Sequence, residues 1–234
     1  MSTTIQQAID EVRVRIKNAC ERAGRKPEEV TLIAVSKTMP VESIQEVMEC
    51  GIIEFGENRP QELRDKQAVI TEPLHWHMIG SLQTNKLKYV IGKTVMIHSV
   101  DTFHLAEAIE EASAKSNIVT NVLLEVNIAG EDSKHGIEPE KLEAFVEQIS
   151  MFSHIKICGL MTVAPYTDFP EENRVYFKKM KQLMVDINSK NIDNVYMDVL
   201  SMGMTGDYEI AIEEGATHVR VGTGIFDHRV YALK

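Results

Sequence analysis

The feature that most constrains this chain is a regular alternation of two kinds of segment. Short apolar runs fall at 31–35, 52–55, 74–80, 95–100, 121–128, 155–163, 195–201 and 218–222. Between most of them lie amphipathic segments with apolar residues at helical spacing, at 41–50, 60–70, 103–115, 139–150, 171–188 and 207–214. Thr102 is placed to cap one of these helices, and Pro139 suits a first helical position. The runs are apolar on both faces more often than they alternate, the pattern of a parallel sheet covered by helices. A further helix precedes them: Ile5, Ile9, Val12 and Ile16 share one stripe, and Gly24 offers its stop. Eight β–α units in 234 residues predict one domain over 1–234, a (β/α)8 barrel with an extra N-terminal helix. A doubly wound open sheet uses the same alternation, and periodicity does not separate the two.

Composition narrows the function. An apolar fraction of 44% supplies a globular core, and no apolar run is long enough to span a bilayer. The start, MSTTIQQAID, has neither the basic nor the apolar region of a secretory signal. Lys and Arg number 25 against 35 Asp and Glu, a net charge of −10, with no basic cluster. Such a chain is not built to coat nucleic acid or an anionic membrane, although a local cationic pocket for a small phosphate is compatible with it. Cys20, Cys50 and Cys158 form no C-x-x-C pair, which argues against a disulfide framework and a cysteine zinc site. With no N-x-S/T sequon either, a cytoplasmic protein is expected.

A barrel places its chemistry at the C-terminal ends of its strands, often with a phosphate site after strands seven and eight. Lys37 follows the first apolar run directly, so its amine is expected at the mouth. A lysine at a strand end ordinarily reaches into solvent, but one partly desolvated there can attack a carbonyl and form a Schiff base. Ser201, Thr205 and the Gly222-Thr223-Gly224 turn supply hydroxyls and glycine-flanked N–H groups, which suit a phosphate dianion. A helix start near Asp207 adds a positive dipole end. Loops that use Gly and Ser only for backbone geometry would look similar.

Other motifs fail. Gly222-Thr223-Gly224 begins like a dinucleotide fingerprint, but the chain ends at Lys234, too soon for the βαβ unit it requires. Gly80-Ser81-Leu82-Gln83-Thr84-Asn85-Lys86 resembles a P-loop, but Asn85 stands where the second Gly belongs and Leu87 where Ser or Thr should be. His75 and His77 share a strand face without a clustered third ligand, so hydrogen bonding is expected of them and no metal. Most methionines read as core, with Met202 and Met204 in the expected phosphate loop as exceptions.

Six ordered motifs then become recognisable: Ala34-Val35-Ser36-Lys37-Thr38; Phe55-Gly56-Glu57-Asn58; His77-Met78-Ile79-Gly80 with Leu82-Gln83-Thr84-Asn85-Lys86; Gly159-Leu160-Met161; Ser201-Met202-Gly203-Met204; and Val219-Arg220-Val221-Gly222-Thr223. Over nearly its whole length the chain resembles the pyridoxal phosphate homeostasis proteins, the YggS/PROSC family. The resemblance implies a barrel like the N-terminal domain of alanine racemase, holding pyridoxal 5′-phosphate as an aldimine on Lys37. It implies Ser201, Thr205, Gly222 and Thr223 at the phosphate, Arg220 at the pyridine nitrogen and Asn58 near the ring. The chain departs from the family pattern at Thr205, where many members carry Ser, at Arg59-Pro60 after Gly-Glu-Asn, and at Asp227, where Gly usually follows Ile-Phe.

Two function classes share these residues. One is a protein that buffers or delivers pyridoxal phosphate, with apo-enzymes that use it as recipients; the other is a small amino-acid racemase. Racemisation needs a second proton-transfer group opposite the lysine, which alanine racemase draws from a C-terminal β-domain of its partner subunit. This chain has no such domain, so cofactor handling by a monomer is expected. Arg220 points the same way: a guanidinium does not readily release its proton, so the ring nitrogen stays unprotonated and the ring is a weaker electron sink.

Overall fold

The apolar runs pair in chain order and close on themselves. The computed structural model describes residues 4–131 and 135–226. Its strands are β1 (Thr31–Val35), β2 (Glu54–Glu57), β3 (His75–Met78), β4 (Met96–Val100), β5 (Thr120–Glu125), β6 (Ile155–Met161), β7 (Val195–Met204) and β8 (His218–Val221). All neighbours are parallel, and β8 pairs with β1 from Thr31↔His218 to Ala34↔Val221, which decides for the barrel over the open sheet. The helices are α1 (Ile5–Arg22), α2 (Val41–Glu49), α3 (Pro60–Gln67), α4 (Phe103–Lys115), α5 (Leu142–Ile149), α6 (Arg174–Ser189) and α7 (Tyr208–Glu213). A 3-10 helix, Thr84–Tyr89, links β3 to β4 where the other units use an α-helix. Among the described residues no helix is long and apolar enough to cross a membrane.

Local chemistry sets the helix ends as expected. Thr102 accepts the N–H of Leu105 at 3.3 Å, and Pro139 opens a 3-10 turn that leads into α5. The extra helix α1 packs its stripe of Ile9, Val12 and Ile16 into the core beside α2 and α7. Arg15 and Arg22 fasten it to Glu209 and Glu213 of α7, both at 2.6 Å.

Two strands differ from the sequence reading in ways that move the site. β2 starts two residues later than the apolar run, because Glu54–Glu57 is the stretch in register with His75–Met78. β7 continues past Ser201 to Met204, since Ser201 and Met204 still pair with His218 and Arg220 across a bulge. The loop expected at Ser201 therefore begins at Thr205.

Side chains sort by strand alternation. Ala34, Phe55, Val122, Leu124, Val219 and Val221 face the helices and join the main core. The opposite series faces the barrel axis. There Leu123, Cys158 and Met161 form a separate apolar cluster, while His77, His98, Ser201 and Arg220 make the other part of the interior polar and buried.

Candidate functional site

At the C-terminal mouth, the turn after β1 is pinned at every residue except Lys37. The Ser36 hydroxyl donates to Glu57 Oε1 at 2.6 Å, and the Ser36 carbonyl accepts from Lys66 Nζ at 2.7 Å and from the N–H of Met39 at 3.0 Å. The N–H of Thr38 donates to Glu62 Oε2 at 2.7 Å. Thr38 adopts a φ of +62°, a strained conformation for a β-branched residue that persists because both sides of the turn are held. Lys66 also pairs with Glu57 at 2.6 Å, both buried between β2 and α3. Burial drives the Glu57 carboxyl above its ordinary range although Lys66 and Ser36 oppose this, and its second oxygen is buried without a partner. Lys37 is exposed and, among the described residues, has no hydrogen-bond or ion-pair partner. It lies two residues beyond Val35, in step with the series that faces the axis. Asn58 stands in the same relation to Gly56. Its backbone is packed by Gly80, where a Cβ would fall 2.5 Å from the Asn58 oxygen, so only glycine permits this approach.

Arg220 is buried inside the barrel at its mouth end. Its Nη1 donates to the Ser201 hydroxyl at 2.6 Å and its Nη2 to the Thr162 carbonyl at 2.7 Å. Burial lowers the guanidinium to about 10, which leaves it charged at neutral pH. Ser201 is fully buried, with His98 Nδ1 on its other side at 3.0 Å. The structure therefore puts Ser201 under Arg220, apart from the loop that holds Thr205.

The loops after β7 and β8 meet where Thr205 Oγ1 accepts the N–H of Gly224 at 3.3 Å. Asp207 shapes the first loop by accepting the N–H of Met204 at 2.7 Å, and Asn173 holds Asp207 at 2.8 Å. The second loop is a helical turn in which the Gly222 carbonyl accepts from Ile225 and Phe226. Among the described residues, the N–H groups of Thr205, Gly206, Gly222 and Thr223 have no partner in the chain. Four free donors in adjoining loops fit an anionic group such as a phosphate monoester. The helix-dipole contribution expected near Asp207 is small, because α7 spans only six residues. Met202 is core, whereas Met204 is partly exposed at the mouth. Asp227 lies outside the described residues.

The two tyrosines considered near the mouth both have other partners. Tyr208 is buried under α1 with Arg15 over its ring, and burial pushes its phenol up to about 12. Tyr166 is 92% exposed and bonded to Asp168.

Glu125, on the inward series of β5, is held up to about 7 by burial and then by Asp101, with Arg220 and His135 opposing. Its folded value lies above the ordinary 4.5, so the folded chain binds this proton more tightly than the unfolded chain does. The resulting stabilisation is full below pH 4.5 and is lost as pH rises to about 7. Glu125→Gln is expected to remove a fall of ~2–3 kcal/mol across that window, checked by denaturant unfolding of both proteins at pH 4.5 and 8.

Sequence reading missed the roles of Glu57, Lys66 and the interior residues Glu54 and His98, while the hydrogen bonding expected of His77 is found. The signal available was polar residues recurring at every second position within apolar strands, as in His75-Trp76-His77 and His218-Val219-Arg220. His75 and His77 meet on Glu54, at 2.7 and 2.8 Å. Among the described residues no group of three or more His, Cys, Asp or Glu is placed to hold a metal ion.

Comparison with known proteins gives this mouth its context. The family model "Alanine racemase, N-terminal domain" matches residues 8–229. The pyridoxal phosphate homeostasis protein of Aquifex aeolicus is 46% identical over 226 residues, covering 96% of this chain and 98% of that one. The solved structure of PipY from Synechococcus elongatus with PLP bound superposes with a TM-score of 0.80 at 33% identity, covering 91% of this chain and 99% of that chain. Alanine racemase from Corynebacterium glutamicum, 13% identical, shares the fold with a TM-score of 0.69 over 93% of this chain and 60% of its own. With matches that run end to end on the same closed barrel, the chain belongs to the pyridoxal phosphate homeostasis protein family, built on the fold of the alanine racemase N-terminal domain.

Proposed function

We propose that this protein binds pyridoxal 5′-phosphate at the C-terminal mouth, covalently on Lys37, and buffers or delivers it without committed turnover. The observation that carries the reading is the pairing of an unpartnered lysine on a pinned turn with two loops that leave four N–H groups free. The ligand's aldehyde supplies the carbon that the Lys37 amine attacks, a C=N bond forming as one water leaves. Thr205, Gly222 and Thr223 bind the phosphate, Arg220 donates to the ring nitrogen, and Asn58 flanks the ring. Ser201 serves this site through Arg220. A relative at 33% identity solved with PLP bound, and relatives named for pyridoxal phosphate homeostasis, support the same assignment. Apo-enzymes that need the cofactor are the recipients.

The reading as a carrier follows from proton transfer. Inverting an amino acid at Cα needs a base on one face and an acid on the other. Lys37 supplies one group, and neither Tyr166 nor Tyr208 supplies the second. The test is incubation of the pyridoxal phosphate-loaded protein with L-alanine in deuterated water. The expected result is neither D-alanine nor appreciable deuterium at Cα. Rapid exchange with inversion, absent in Lys37→Ala, would place the protein among the racemases.

A further inference from the structure

We infer that Ser201, His98, His77 and Glu54 form a one-way hydrogen-bond relay that orients Arg220 from beneath, making them positioning residues for the group at the ring nitrogen. The inference rests on the role of Arg220 proposed above. The relay itself is a property of the protein without ligand.

The direction follows from counting protons. Arg220 has only donors, so the Ser201 hydroxyl must accept from Nη1 at 2.6 Å. Ser201 then has one proton to give, and the acceptor within reach is His98 Nδ1 at 3.0 Å. That nitrogen is therefore bare and the His98 proton sits on Nε2, from which it is donated to His77 Nδ1 at 2.9 Å. His77 in turn carries its proton on Nε2 and donates to Glu54 Oε2 at 2.8 Å. Ser201, His98 and His77 each donate their one proton once, and the chain runs from a guanidinium cation to a carboxylate anion, the arrangement in which each bond polarises the next.

The surroundings favour this direction over its reverse. Burial, then the neighbouring His77 and Arg220, drive His98 well below its ordinary range, so it is neutral. Burial opposes the charge on Glu54, but hydrogen bonds from His77 and His75 hold its carboxyl below the usual range, so it accepts. The reverse chain would leave the Ser201 proton without an acceptor and place an imidazolium inside the barrel beside the Arg220 field. His218 packs its ring edge-on against both imidazoles, with centroids at 6.1 and 6.4 Å, and limits their rotation. Among the described residues Arg220 has no carboxylate in ion-pair contact, so its orientation depends on Ser201 and the Thr162 carbonyl.

The experiment has two arms. The first is NMR of ¹⁵N-histidine-labelled protein without ligand at pH 7, with His77 and His98 assigned by His77→Gln and His98→Phe. Both rings are expected as neutral Nε2–H tautomers, and a proton on His98 Nδ1 overturns the relay. The second arm measures affinity for pyridoxal phosphate and for its analogue with the ring nitrogen replaced by C–H. Ser201→Ala and His98→Phe are expected to weaken pyridoxal phosphate on the order of 10-fold and leave the analogue nearly unchanged, with Ser201→Thr restoring the wild-type value. Equal losses for both ligands, or none for either, overturn the positioning role. If wild-type protein binds neither ligand, the binding proposal fails, and the tautomers still decide the relay.

Discussion

Lys37→Ala is expected to abolish the covalent adduct with pyridoxal phosphate outright, with no visible band and no borohydride-trapped peptide. Lys37 lies on the inward series at the mouth, whereas Lys66, in the network that pins the same turn, is buried against Glu57 at 2.6 Å and committed to it. Folding should be untouched, because the exposed Lys37 side chain makes no hydrogen bond or ion pair among the described residues. The loss therefore reads out chemistry. Non-covalent pyridoxal phosphate should persist in the variant through the N–H groups of the β7 and β8 loops, while pyridoxal, which lacks the phosphate, should no longer bind measurably. Absorbance, trapping with peptide mapping, and equilibrium dialysis of both ligands check these outcomes. An unchanged band, or a trapped peptide carrying another lysine, refutes the assignment.

Gly159→Ala is expected to have the largest effect on the fold. At Gly159 the backbone of β6 approaches β7 so closely that a Cβ would lie 1.8 Å from the Val199 carbonyl oxygen and 2.7 Å from its carbon. The φ of +151° adds a conformation that alanine rarely adopts. Two hydrogen-bonded strands would have to separate by roughly an ångström in a barrel that closes on itself, and the displacement would spread to Ser201 through the Met161↔Ser201 register. A loss of about 4 kcal/mol or more is expected, seen as insoluble protein or a Tm lowered by ~10 °C or more. Gly206→Ala, where nothing lies within 4 Å of the added carbon, is the control and should unfold close to wild type.

The alternation of apolar and amphipathic segments determined most of the architecture by itself. A short run largely apolar on both faces, set between amphipathic helices, reads as a covered strand, and eight such runs leave few ways to pack. The same logic made Lys37 and the Gly222-Thr223 turn candidates, because strand ends are visible in sequence and a parallel barrel brings all its C-terminal ends to one mouth, whereas Asn58 and Arg220 entered only through the family resemblance. Thr205 was legible for the same reason.

Closure and depth were decided only by the tertiary structure. An open sheet and a barrel share one periodicity, and they differ in the pairing of β8 with β1, residues 187 positions apart at Thr31↔His218. Ser201 reads as a loop hydroxyl until the β7–β8 register carries strand pairing on to Met204 and draws it inside. His98 and Ser201 stand 103 residues apart, and Glu57 meets Lys66 only because α3 folds back over β2. Such contacts depend on which side chains of distant strands share a layer. That is fixed by the stagger and tilt of a closed barrel, quantities to which no local pattern of residues corresponds.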